Sequence, residues 1–152
     1  ELQTERRKKW VEDWENHLLK EEIEDSKSNR KMHPLQLGVD IISEMNDEDW
    51  LVFDGGNTHF WNEIAVNISG WRGKKLGGIM HPGNYSLLGV GISFGISAKA
   101  AYPDKNVVVI SGDGAFLSGG LSIESAFQEG LPIIVVIDNN GGLDCISQQQ
   151  ER

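Results

Sequence analysis

The chain has 152 residues, enough for about one domain with a real core. Its net charge of −9 excludes a nucleic-acid or anionic-membrane surface, and no apolar run reaches the length of a membrane span. The single cysteine, Cys145, excludes an internal disulfide and, with no signal peptide at the start, reads as a reducing, cytoplasmic setting. Glu1 in place of Met, and a closing run Gln148-Gln149-Gln150-Glu151-Arg152 without any closing element, read as a segment of something longer. Residues 1–31 carry eight basic and nine acidic side chains, with Trp10, Val11, Trp14 and Leu18 at helical spacing. They predict one amphipathic helix with a narrow apolar stripe, then a linker from Ser26 to Lys31. A solvated helix packed on the body or on a neighbouring domain is preferred there to any binding role.

Residues 32–152 read as the domain proper. His33-Pro34 opens a helix, with Pro34 suited to its first turn and Leu37, Ile41, Ile42 and Met45 facing inward. Trp50 to Phe53 is a short buried strand running into Asp54-Gly55-Gly56-Asn57-Thr58, a glycine-rich turn before a helix and so a seat for an anion. Such turns are also common without a ligand. Lys74 to Met80 suits a short strand with Ile79 and Met80 buried, and His81-Pro82-Gly83-Asn84 is a turn. His17 and His59 suggest no role. Tyr85 to Ala101 reads as a small-residue helix whose Gly89, Gly91 and Gly95 permit close packing.

The stretch from Val107 to Gly142 organises the rest. Val107 to Ile110 and Ile133 to Ile137 are apolar, β-branched and too short for helices, hence buried strands. Leu121, Ile123, Ala126 and Phe127 suit a helix between them, stopped by Gly130-Leu131-Pro132. A strand–helix–strand crossover is right-handed and leaves the strands parallel. Asp113 and the pair Asn139-Asn140 then lie past the carboxyl ends of neighbouring strands, where open α/β sheets bind ligands. Strands about 4.8 Å apart let Asp113 and Asn140 converge on one ion, and an all-oxygen set with a backbone carbonyl suits Mg²⁺. Taken singly, Gly112-Asp113-Gly114 and Asn139-Asn140-Gly141-Gly142 are ordinary turns. A second reading starts from Gly89, Gly91 and Gly95 with Asp113 downstream, which mimics the fingerprint of an NADP-type dinucleotide site in an oxidoreductase. Against it, Tyr85 to Leu88 is a poor strand and the asparagine pair goes unexplained.

Gly112-Asp113-Gly114, then 24 residues, then Asn139-Asn140, resembles the cofactor signature of thiamine diphosphate enzymes. The likeness is to the acetolactate synthase, benzaldehyde lyase and 2-hydroxyacyl-CoA lyase branch and covers about residues 32–150. It implies a three-layer α/β/α diphosphate-binding domain with a mainly parallel sheet, incomplete at its C-terminus. Carried over by position, Asp113, Asn140 and the Gly142 carbonyl bind the metal. Gly112, Gly114 and Ala115, with Gly56, Asn57 and Thr58, contact the diphosphate. The Ser86 carbonyl accepts from the aminopyrimidine, and Leu88 bends the cofactor, where many relatives have Gly and Met. Asp144 stands where many relatives have Gly, and His81 would lie near the cofactor. The implied chemistry makes or breaks a C–C bond next to the carbonyl of a 2-oxo acid or 2-hydroxyacyl substrate, in a homo-oligomer. The activating glutamate of the family belongs to a preceding pyrimidine-binding domain, so this segment alone reads as inactive, a cofactor-docking half that serves a partner domain or subunit. The edge or apolar face of the last strand, 133–137, is expected to lack a cover.

Overall fold

The computed structural model describes residues 32–150 continuously and residues 4–6, 8–10, 12–13, 16 and 20 before them. Those earlier residues are helical, and Trp10 is exposed; Val11, Trp14, Leu18 and the 26–31 linker lie outside the described residues. In chain order the elements are α1 (Pro34–Glu44), β1 (Trp50–Phe53), α2 (Asn57–Trp71), β2 (Gly78–Met80), α3 (Gly91–Ala101), β3 (Val107–Gly112), α4 (Asp113–Gly119), α5 (Ile123–Gln128), β4 (Ile134–Asp138) and α6 (Asp144–Gln150). The strands form one sheet in the order β2-β1-β3-β4, and every pairing is parallel.

Alternation along the central strands builds two cores. Leu51, Phe53, Val108 and Ile110 face α1 and α2, meeting Leu35, Val39, Ile42 and Ile68. Val52, Val107 and Val109 face the other way onto Ile92 and Ala98 of α3. This is the expected three-layer arrangement, with both faces of β1 and β3 covered by helices.

Several local readings need correction. In α1 the deeply buried residues are Leu35, Val39 and Ile42, with Leu37 and Ile41 only partly covered. Gly38 sets that face: a Cβ there would lie 2.8 Å from Asn62 Oδ1 and 2.9 Å from Ala65 Cβ, so the missing side chain lets α1 and α2 close together. Ile79 is 40% exposed because β2 is an edge strand. The helix expected from Tyr85 begins only at Gly91, since Ser86 (φ 46°) and Gly89 (φ 84°) take left-handed backbone. Residues 85–88 form no strand leading into those glycines, which removes the geometric basis of the dinucleotide reading. The crossover helix starts directly at Asp113 and is interrupted by a 3₁₀ turn at Gly120–Ser122. β4, expected to be a buried strand, lies at the sheet edge with Ile134 55% and Ile137 42% exposed, because no further element covers it among the described residues; its uncovered edge is as expected.

Candidate functional site

Because all four strands run the same way, their carboxyl ends share one edge of the sheet. Asp54 closes β1 there. It has no solvent exposure, and its carboxylate accepts from the N–H groups of Gly55 (2.9 Å), Gly89 (2.9 Å) and Gly91 (3.1 Å) and from the Ser111 hydroxyl (3.0 Å). One buried acid thereby ties the end of β1 to the start of α3 and to β3. Gly55 packs under the 86–87 backbone, where a Cβ would lie 2.2 Å from the Ser86 carbonyl oxygen. Gly56, at φ 77°, turns the chain into α2 and donates its N–H to Ser86 Oγ at 2.9 Å.

Asp113 is the first residue of α4. Its Oδ1 accepts from the Gly114 N–H (2.8 Å) and its Oδ2 from the Gly141 N–H (3.0 Å). The second bond joins the β3 and β4 ends, which the sequence expected to converge. Asn139 and Asn140 each accept from the N–H two residues on, at 3.2 Å, forming consecutive side-chain turns. These bonds fix the amide oxygens and leave each a second lone pair.

Between these loops lies a cavity of about 270 Å³. Gly56, Asn57, Thr58, Ser86, Leu88, Gly112, Asp113, Gly114, Ala115, Asn140 and Gly142, all singled out in the sequence, line it. Gly55, Leu143, Asp144, Cys145 and Ile146 line it too. Leu143, Cys145 and Ile146 went unassigned; an apolar pair three residues apart after a glycine turn was the available signal. Leu143 lies over the first turn of α4, where a Cβ on Gly114 would meet its Cδ2 at 2.5 Å. His81 does not line the cavity.

Asp144 does not point away. Its Oδ2 accepts from Asn57 Nδ2 at 2.6 Å, and the Cys145 thiol donates to Asn57 Oδ1. The Asn57 side chain is therefore engaged by α6 within the cavity wall. The site is also strongly acidic. Burial pushes the Asp138 carboxyl above its usual range, and the charges of Asp113 and Asp144 push the same way.

The family model of the thiamine pyrophosphate enzyme C-terminal TPP binding domain matches residues 54–152. The chain belongs to that family. Thiamine pyrophosphate is the thiamine diphosphate of the resemblance above, and the dinucleotide reading is overturned. This domain is 26% identical over 150 residues to human 2-hydroxyacyl-CoA lyase 2, covering 93% of the chain and 23% of the relative. It is 26% identical over 121 residues to the catabolic acetolactate synthase of Raoultella terrigena, covering 80% and 21%. In fold it resembles the thiamine diphosphate-dependent 4-hydroxybenzoylformate decarboxylase of Rhodococcus jostii RHA1, with a TM-score of 0.62, 24% identity, and 79% and 22% coverage. The chain thus spans less than a quarter of the length of these relatives.

Proposed function

We propose that this domain anchors the diphosphate of thiamine diphosphate through Mg²⁺, within an enzyme that makes or breaks a C–C bond beside a carbonyl. The observation that carries the reading is the bond from the Gly141 N–H to Asp113, which draws the β3 and β4 ends together beside the cavity. The donor chemistry fits the ion. Asp113, Asn140 and the Gly142 carbonyl offer only oxygens, the ligand type that Mg²⁺ takes. The charge fits as well: the charges of Asp113 and Asp144 both act against ionisation of Asp138, and a divalent cation would offset that repulsion.

When bound, the cofactor supplies a carbanion that attacks the substrate carbonyl and a ring that takes up electrons. The rest falls to the chain. Asp113 and Asn140 would hold the cation, the Ala115 N–H would meet the diphosphate while the Gly114 N–H braces Asp113, and Ser86 and Leu88 would orient the ring system. Substrates of the 2-oxo acid or 2-hydroxyacyl class follow from the names of the relatives.

Calorimetric titration of the intact protein with thiamine diphosphate tests this. Asp113→Ala should remove Mg²⁺-dependent binding while the fold persists, since Asp113 is partly exposed at the sheet edge. Undiminished binding in the variant would overturn the metal assignment.

A further inference from the structure

Outside the cavity, the described residues hold one group of metal-binding side chains: His59, Glu63 and His81. His59 and Glu63 sit one turn apart on α2, and His81 follows the last residue of β2. Phe53 brings the two imidazoles together. It stacks on His81 at 5.0 Å and 8° and packs on His59 at 5.6 Å, and the imidazole centroids are 4.8 Å apart.

His59 is 9% exposed, and its Nε2 is buried without a hydrogen-bond partner. Glu63 Oε1 lies 3.4 Å away, close enough for attraction but not in hydrogen-bonding geometry. A buried nitrogen left in this state is unfavourable and calls for an explanation. One ligand atom from each of the three residues lies within 4.8 Å of the others. A tetrahedral ion with bonds near 2.1 Å needs ligand atoms about 3.4 Å apart. The half-exposed Glu63 side chain is the one of the three freest to move inward and close that gap.

We propose that His59, Glu63 and His81 bind a divalent transition metal of the Zn²⁺ class, independently of the oxygen-only Mg²⁺ site. Two imidazoles and a carboxylate leave a fourth position open to water or a ligand, and nitrogen donors select against Mg²⁺. Loading balances its proton internally. The Gly83 N–H donates to His81 Nδ1 at 3.2 Å, which leaves the neutral ring's proton on Nε2. Metal on Nε2 moves that proton to Nδ1, and the Gly83 N–H, on a partly exposed turn, bonds water instead.

Titration of the intact protein with Co²⁺, under saturating Mg²⁺, tests the site. One equivalent should bind with the visible bands of a four- or five-coordinate ion, and Zn²⁺ should displace it. His81→Gln should weaken binding by more than about 100-fold, since losing an outer-shell partner alone costs about 10–100-fold. Glu63→Ala should weaken it by at least about tenfold, and Asn140→Ala should leave it unchanged. Both Glu63 and His81 reach solvent, so their variants keep the fold even if His59→Gln does not. Four outcomes would overturn the proposal: no retained Co²⁺, undiminished affinity in the Glu63 and His81 variants, a thiolate charge-transfer band from Cys145, or loss with Asn140→Ala.

Discussion

Asp54 gathers four donors around one buried carboxylate, three of them backbone N–H groups from two separated loops. Asn at this position has the same shape but one acceptor oxygen, and its NH₂ would face N–H groups that also donate. Asp54→Asn should therefore cost about 3 kcal/mol, as charge-assisted bonds are lost and donors are left buried. Ser111→Ala removes one of the four and should cost about 1 kcal/mol. Urea denaturation of both variants checks the order: a smaller drop in midpoint for Asp54→Asn would contradict it. Asp113 and Asn140 were legible in the sequence because each follows the end of a strand, and the spacing of those two strand ends is written in the chain. Asp54 was legible only as part of a turn. Its partners are backbone groups of Gly89 and Gly91, and their arrival depends on a left-handed loop that composition does not reveal. His59 was set aside for a similar reason, since its neighbour His81 comes from the turn after β2.

Between elements, close contact is set by glycines. A Cβ on Gly119, at the end of α4, would lie 1.9 Å from the Gly89 carbonyl oxygen. No side-chain adjustment relieves a clash with backbone, so Gly119→Ala should cost about 1–3 kcal/mol. It should also displace the 86–89 loop and weaken cofactor binding. Gly130→Ala is the control. It meets nothing within 4 Å, and its φ of +63° costs about 1–2 kcal/mol without touching the cavity. Thermal melts and cofactor titrations of both separate strain from displacement; equal loss of affinity would refute the argument. β3 was legible because its β-branched run faces helices on both sides. Helix starts were less so. The 85–90 segment is rich in small residues that suit a helix, yet the bonds from Gly89 and Gly91 to Asp54 hold it in a loop.

At the scale of the molecule, the cavity is lined by the carboxylates Asp113 and Asp144 and, among the described residues, by no glutamate. The proposed chemistry needs an acid that shifts the aminopyrimidine tautomer, and the resemblance places it on a pyrimidine-side domain. These 152 residues, with Mg²⁺ and thiamine diphosphate, should therefore not accelerate deuterium exchange at the cofactor's reactive carbon, followed by NMR. Acceleration by this chain alone would refute the division of labour. Apolar side chains are left outward on α4 and α5 and in the turn between them, Leu117 at 84%, Phe127 at 83% and Leu121 at 93% exposure; the sequence reads Leu121 and Phe127 only as suited to a helix. A sequence pattern marks an apolar face without saying what covers it. The bond between Asn57 and Asp144 joins residues 87 apart, from the start of α2 to the start of α6. Closing so long a loop carries a large entropy cost, so such contacts form late in folding and slow it. The cavity cannot exist until both ends of the fold have met. Thiamine diphosphate then cannot nucleate this domain; it captures molecules that have already folded.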